Sequence, residues 1–265
     1  ERLSTTLYYM KYTSIRLFKT FFIFLLFNMT VTAQPLKKDY YRTAIELSLF
    51  LAIEYDLFDI YSIQKKSSQK PNRFDNAIRN KLIWSENNLN AARVGSDILL
   101  YGVVLGSIPI APLLLKENHR SMILTNLEVL AINGLITDVT KYLVGRQRPS
   151  SYFNTRDEKK DAFKSFFSGH TSTSFAIATS TAMILSKEFS SQKKLIWASS
   201  YTTAAITGYL RIAADKHYFT DVLAGALSGS LTGYFTYKLV GESYISVNTQ
   251  VLNETSKRLS IAWQF

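Results

Sequence analysis

The chain has 265 residues, enough for one domain with short appendages, and its hydrophobic content of 47% is ordinary for a folded protein. It has no cysteine and three histidines, which excludes a disulfide framework, a thiolate metal site and a histidine-rich metal centre. Its formal net charge of +11 favours anionic partners, but the basic residues are spread along the chain, so nucleic acid is excluded as a predicted partner.

The N-terminal region is predicted to be a targeting segment. Residues 1–9 are interpreted as added or upstream sequence before a start at Met10. A basic segment, the apolar run TFFIFLLFNMTV and small residues ending at Ala33 follow, an order typical of a signal peptide over residues 10–33. Because the run is short for a membrane span, cleavage is favoured over an uncleaved anchor. Cleavage predicts export to the cell envelope, that is, the periplasm.

Residues 34–94 are predicted to form an N-terminal helical region. After a polar start, apolar residues separate the acidic ones over residues 43–62, which predicts an amphipathic helix. Residues 64–75 are polar and contain Pro71, so they predict a loop. Short helical pieces are expected over residues 76–93.

Residues 95–240 are predicted to be the functional core, because long segments with few charges occur there. These segments predict helices over residues 98–115, 121–144, 171–186, 195–210 and 222–237. With the helix over 43–62 they make an all-α bundle of six helices. Pro109 and Pro112 are expected to kink the first segment, and small residues are expected to let the last one pack closely: Gly225, Ala226, Gly229 and Gly233.

The sequence leaves both a soluble envelope protein and a membrane-embedded one open. The uncharged segments are about the length of a membrane span or a little shorter. The mean hydropathy of +0.01 is low for a protein with six spans.

Residues 241–265 are predicted to be a strand-like tail. Leu259, Ile261, Trp263 and Phe265 alternate with other residues at the period of a β-strand. The sequence NETSK precedes them and could form a turn. A β-hairpin packed on the bundle is therefore expected.

Three polar clusters lie within residues 141–221, on an otherwise apolar background. The first is KYLVGRQRP, the second is SGH, and the third is RIAADKHYFTD. They supply the candidate catalytic residues His217, His170 and Asp221, and the candidate phosphate-binding residues Lys141, Arg148, Arg211, Ser168 and Gly169.

The basic residues of these clusters suit a phosphate group. Guanidinium groups match phosphate oxygens in pairs, and the ammonium of Lys141 adds a point charge. Ser168 is predicted to cap the helix that follows it, so the backbone N–H groups around Ser168 and Gly169 would favour an anion.

The histidines suit nucleophilic and acid catalysis. His217 and Asp221 are four residues apart, so on a helix they would share a face, and the carboxylate would hold one ring nitrogen. The other nitrogen would then be free to attack phosphorus. His170 is the natural proton donor to the leaving oxygen.

These clusters resemble the type 2 phosphatidic acid phosphatase (PAP2) superfamily, which also contains vanadium haloperoxidases and bacterial acid phosphatases. The family pattern is KxxxxxxRP, then PSGH, then SRxxxxxHxxxD. The chain matches it in order, with two departures: Phe167 replaces the proline and Leu210 replaces the serine. The resemblance covers roughly residues 95–240.

The resemblance implies a six-helix PAP2-type phosphatase acting on a phosphomonoester or a lipid pyrophosphate. It implies a phosphohistidine on His217 and hydrolysis without a metal or other cofactor. Two alternatives stay open. One is a haloperoxidase that would hold vanadate as its cofactor, and the other is an inactive envelope protein, suggested by Phe167 and Leu210.

Overall fold

A computed structural model describes residues 37–57, 64, 66–116, 118–156 and 161–242. The chain divides into two units, residues 1–45 and 46–265. In the first unit, residues 37–45 are helical, and the Thr43 hydroxyl donates to the backbone oxygen of Asp39 at 3.0 Å. The predicted signal peptide and all but the first two residues of the predicted hairpin lie outside the described residues.

The described residues form helices, and no strand occurs among them. They contain eight α-helices, so the predicted count of six was wrong: α1 Lys37–Glu54, α2 Arg73–Leu82, α3 Leu89–Leu105, α4 His119–Val144, α5 Pro149–Tyr152, α6 Gly169–Glu188, α7 Lys193–Ala213 and α8 Phe219–Thr236. Six of them are long, and the other two, α2 and α5, are short and polar, with 10 and 4 residues. Helix α2 overlaps the short helical pieces expected over residues 76–93, whereas α5, with four residues, is too short to show a helical apolar period.

Prolines end α3 as expected. A π-helical turn, Gly106–Ile110, contains Pro109, and the 3₁₀ turn Ala111–Leu114 contains Pro112. Proline has no N–H to donate to the helix, so an α-helix cannot continue regularly through it. The chain then turns into α4, which ends at Gly145 in the left-handed conformation, with φ of 57°.

Helices α6 and α8 pack along a seam of glycines. Gly225, Gly229 and Gly233 are spaced by four residues and lie on one face of α8. A Cβ added at Gly229 would overlap the Ser172 carbonyl group, and one added at Gly225 would lie 2.7 Å from the oxygen of Ser168. The predicted close packing is therefore confirmed, because only glycine lets the two backbones approach this closely.

The interior of the bundle is unusually polar. Asn126 and Asn133 of α4 are fully buried and seven residues apart. The Asn133 side chain accepts from Ser172 at 2.6 Å, and that of Asn126 donates to Thr181 at 3.1 Å. Hydrogen bonds between buried side chains therefore help to hold α4 against α6.

The outer surface, by contrast, carries large apolar side chains. Leu223, Leu227 and Leu231 of α8 are 48%, 60% and 55% exposed. Two stretches of the described chain, Glu86–Leu114 and His119–Val144, are long and apolar enough to cross a membrane. A polar interior with an apolar exterior and two candidate spans indicates association with a membrane.

Candidate active site

The predicted site residues lie at the ends of four long helices. Lys141 is in the last turn of α4, Arg148 directly precedes α5, and Arg211 is in the last turn of α7. Gly169 and His170 begin α6 after the cap residue Ser168, while His217 and Asp221 flank the start of α8. The structure thus groups the three sequence clusters.

The three cations are withdrawn from solvent. Arg148 and Arg211 are 7% and 4% exposed, and Lys141 has its ammonium 3.5 Å from a carboxylate oxygen of Asp138. A Cβ at Gly169 would lie 3.2 Å from the Lys141 nitrogen, so glycine leaves room for that side chain. Such a cluster favours an ion with two negative charges, such as a phosphate monoester.

His217 is held by a backbone carbonyl group. Its Nδ1 lies 2.7 Å from the oxygen of Ser165, and the side chain is 2% exposed. Because a carbonyl oxygen can only accept, Nδ1 must carry the proton and Nε2 must carry the lone pair. In the neutral imidazole, Nε2 therefore carries the lone pair.

Asp221 does not hold the ring directly, which corrects the predicted contact. Its carboxylate is 4.0 Å from His217 Nδ1, and helix α8 starts only after His217. One carboxylate oxygen accepts from the Ser165 hydroxyl at 2.6 Å and from the Tyr218 backbone at 2.9 Å. An acid in the first turn of a helix readily reaches back to the cap N–H. Because the hydroxyl of Ser165 contacts Asp221 and its carbonyl oxygen contacts His217, Asp221 is linked to His217 through Ser165.

The surroundings keep His217 neutral. Burial lowers its pKa well below the ordinary value of 6.5, and the positive charges of Arg148 and Arg211 lower it further. The imidazole is therefore unprotonated at neutral pH, which is the form that can attack phosphorus.

His170 is paired with an acid that the sequence analysis missed. Its Nε2 lies 2.7 Å from a carboxylate oxygen of Asp97, and Arg211 lies 3.4 Å from the same oxygen. A carboxylate at Nε2 leaves Nδ1 to face a substrate. Asp97 is the one acid in the apolar stretch 94–115. A lone acid in such a stretch is a candidate functional residue, so the sequence could have identified Asp97.

The pKa of His170 is lowered to about 4. Desolvation is the main cause, and Arg211 and Lys141 add positive charge, whereas Asp97 acts in the opposite direction. A bound phosphate would bring further negative charge to the ring and favour its protonated form.

Both the backbone N–H and the hydroxyl of Ser168 have hydrogen-bond partners within the protein. Its backbone N–H donates to the oxygen of Asp221 at 3.0 Å, and its hydroxyl lies 3.5 Å from the backbone nitrogen of Thr171. Ser168 thus caps α6 as predicted, but its N–H is not the anion donor. Gly169 and His170 begin the helix, where N–H groups have no partner within the helix and point beyond its end.

The two departures from the family pattern are both buried apolar residues. Phe167 is 5% exposed, and its ring lies beside that of Phe166 with the centroids 6.1 Å apart. Leu210 is 8% exposed and packs with Ala92, Ala213 and Leu99. Both side chains therefore pack against neighbouring residues.

Arg146 ties the start of α8 to α2, a role the sequence analysis missed. Its guanidinium group lies 2.6 Å from Asp221 and 2.8 Å from Asp75, and it stacks over the ring of Tyr218 at 4.2 Å. Asp75 also accepts from the backbone and hydroxyl of Thr220, at 2.9 and 2.7 Å. Arg146 and Asp75 therefore fix the position of Asp221.

A second buried pair links α2 to the turn between α7 and His217. Arg79 binds Asp215 with two hydrogen bonds of 2.6 and 2.7 Å, and its guanidinium group lies 3.8 Å from the ring centroid of Phe153. Asp215 has a left-handed backbone, with φ of 58°, and its backbone oxygen accepts from Ser150 at 2.9 Å. This pair brings α5, α2 and the His217 turn together.

Residues 161–165, which precede the second cluster, contact the segment that holds Arg148. The backbone N–H of Arg148 donates to the oxygen of Ala162 at 2.7 Å, and that of Ser165 donates to Arg146 at 3.0 Å. The pKa of Asp161 falls to about 2, because Arg148 and Lys164 outweigh the effect of burial. This carboxylate therefore stays ionised beside the cations.

The sequence of the chain is similar to those of known lipid phosphatases. A lipid A 1-phosphatase of Porphyromonas gingivalis is 34% identical over 122 residues, which are 46% of this chain and 24% of that protein. Lipid phosphate phosphatase 1 of Arabidopsis thaliana is 32% identical over 54% of this chain and 53% of its own length. The chain thus aligns with about a quarter to a half of these relatives.

A solved structure shares the fold. It is titled as a transmembrane PAP2-type phosphatidylglycerolphosphate phosphatase from Bacillus subtilis, and it matches with a TM-score of 0.50 and 21% identity, over 75% of this chain and 96% of its own. The PAP2 superfamily itself matches residues 123–245, the part of the chain that holds all three polar clusters. Residues 123–245 are therefore a PAP2 superfamily domain.

Proposed function

We propose that this protein is a phosphatase that hydrolyses a lipid phosphate, either a monoester or the terminal phosphate of a lipid pyrophosphate, through a phosphohistidine. The observation that carries the proposal is the geometry of His217. Its Nδ1 is held by Ser165, its ring is neutral, and the charges of Arg148 and Arg211 act on it. A neutral nucleophile beside cations is what attack on a phosphate dianion requires.

The first chemical step forms a nitrogen–phosphorus bond. Nε2 of His217 attacks phosphorus, the bond to the leaving oxygen breaks, and protonated His170 gives its Nδ1 proton to that oxygen. Lys141, Arg148 and Arg211 neutralise the phosphoryl oxygens. The proton of His217 stays on Nδ1, which donates it in a hydrogen bond to the carbonyl oxygen of Ser165, and this hydrogen bond stabilises the charged ring as the new bond forms.

The second step reverses the roles. Neutral His170 takes a proton from a water molecule, the water oxygen attacks phosphorus, and the bond to His217 breaks. Inorganic phosphate leaves and both histidines return to their starting states. No step in this scheme requires a metal ion.

A lipid substrate is supported by two observations. The relatives named above are a lipid A phosphatase and a lipid phosphate phosphatase. The apolar outer surface and the two candidate spans would place the site beside a bilayer, where such lipids reside. Export to the cell envelope, that is, the periplasm, remains the expectation from the sequence.

The purified protein in detergent is expected to release phosphate from phosphatidic acid or from an isoprenoid pyrophosphate. Its kcat/KM for these lipids is expected to exceed that for p-nitrophenyl phosphate. Malachite green detection of phosphate measures all three in the same micelles. No release from any of the three substrates would overturn the proposed function.

Replacing Asp97 with asparagine is expected to shift the basic limb of the pH–rate profile to lower pH by about one unit. Asp97 is the acid that favours the charged form of His170, against Arg211 and Lys141. Without it the pKa of His170 falls further, and less of the proton donor is charged at neutral pH. The rate at pH 7 should drop about tenfold.

The pH–rate profile distinguishes an effect of Asp97 on the pKa of His170 from a purely structural effect. Asn90→Ala, an exposed change on the same helix, should leave the profile in place. An equal loss of rate for Asp97→Asn at every pH would show that the carboxylate does not tune His170.

A further inference from the structure

A groove runs between α3, α6 and α7, beside the active site. Its volume is about 410 Å³. Residues of α3 form one wall, including Ile98, Gly102 and Gly106, while Ala178 of α6 and Ser199 and Thr203 of α7 complete it. None of the residues described as lining it is charged.

Two glycines open the groove. Gly102 of α3 and Gly106, the residue that follows α3, are four residues apart and so lie on the same side. A Cβ added at either would have no other atom within 4 Å, so the space in front of both is empty. The α-helix also gives way to a π-helical turn at Gly106.

The groove is less polar than its sequence indicates. The hydroxyl of Ser199 donates to the backbone oxygen of Ile196 at 3.1 Å, and that of Thr203 donates to Ser199 at 3.0 Å. Both groups are therefore satisfied within α7 and offer little to a polar ligand. The groove suits a hydrocarbon chain better than a charged or strongly hydrated one.

The groove comes nearest to the proposed catalytic residues on α3. Ile98 follows Asp97, the partner of His170. Ala178 lies eight residues after His170 on α6, and Thr203 lies eight residues before Arg211 on α7. At 1.5 Å per residue, the lining residues of α6 and α7 begin about 12 Å along their helices from the phosphate site, a distance that the chain of a lipid can span. Ile98, 64% exposed, opens the groove toward the apolar outer surface.

We infer that this groove binds one hydrocarbon chain of the lipid whose phosphate occupies the active site, and that Gly102 and Gly106 determine which chains fit. The inference rests on the proposed function and names the feature of the substrate that the groove selects. The charged head would lie among Lys141, Arg148 and Arg211, and the chain would extend along α3 and α7.

Gly102→Leu tests the inference by filling the groove. Leucine forms helices better than glycine and meets no neighbour at its Cβ, so the fold should be kept. We expect kcat/KM for dioleoyl phosphatidic acid to fall by about tenfold or more, with dihexanoyl phosphatidic acid and p-nitrophenyl phosphate within about twofold of the parent. Leu227→Phe, on the exposed face of α8, should change none of these values.

A second measurement does not depend on turnover. Phosphatidic acid with a diazirine at the end of one chain is photolysed with the purified protein, and labelled peptides are mapped. Label on α3 or α7 groove residues that disappears in Gly102→Leu supports the inference. Label elsewhere, or an equal loss of rate for all three substrates, would overturn it. Absence of phosphate release with label in the groove would overturn the proposed function alone.

Discussion

Replacing His217 with alanine is expected to lower phosphate release by at least about a thousandfold. The substitution removes Nε2, the proposed nucleophile, while Lys141, Arg148 and Arg211 would still bind the phosphate. We therefore expect KM to change little and kcat to carry the loss. Stopped assays with phosphatidic acid, over long incubation at high enzyme concentration, measure it.

Detection of the covalent phosphohistidine tests the role of His217 more directly than the loss of rate does. Brief reaction with substrate labelled by ³²P in its phosphate, quenched in alkali, should leave label on the parent protein and none on His217→Ala, because a bond between phosphorus and imidazole nitrogen survives alkali and breaks in acid. His119→Ala is the matched control. His119 starts α4, at the opposite end of that helix from Lys141, and its Nδ1 contacts the oxygen of Pro112. Equal labelling of His217→Ala would disprove the assignment.

Arg79→Met is expected to lower the free energy of unfolding by about 3–5 kcal/mol. The change leaves the buried carboxylate of Asp215 with only the Thr155 hydroxyl, 2.6 Å away, as a side-chain donor in the described structure. When one member of a buried ion pair is removed, nothing offsets the free energy of desolvation of the charge that remains. Thermal unfolding in detergent, followed by circular dichroism, should show the loss.

Two further variants separate this effect from a general cost of changing α2. Lys81→Met, an exposed basic residue on the same helix, should leave the melting temperature nearly unchanged. The double variant Arg79→Met, Asp215→Asn should recover part of the stability, because it removes the unpaired charge. A melting temperature for Arg79→Met equal to that of Lys81→Met would contradict the prediction.

The sequence located the candidate site because the motif spacing fits the ends of helices. Lys141, Arg148, His170, Arg211 and His217 are polar residues on an apolar background, and the structure brings their helix ends together. The long helices were also predictable, since runs such as 121–144 and 222–237 are interrupted by few charges. Their residue content alone required them to pack against other apolar surfaces.

The contacts between distant segments could not be predicted in the same way. Arg79 and Asp215 are 136 residues apart, and Asp75 and Arg146 are 71 apart. Their pairing depends on how α2 docks, which no local pattern encodes. The spacing of His217 and Asp221 even indicated the wrong contact, because it assumed one continuous helix where the chain has a helix cap.

The glycine seam between α6 and α8 sets the distance between His170 and His217. His170 stands at the start of one helix of the seam, and His217 stands just before the other. The separation of the proposed proton donor and the proposed nucleophile is thus set by the close contact between two backbones, at Gly225 and Ser168. Changes on α3 and α7 can alter the size of the molecule admitted, while the catalytic distance stays the same.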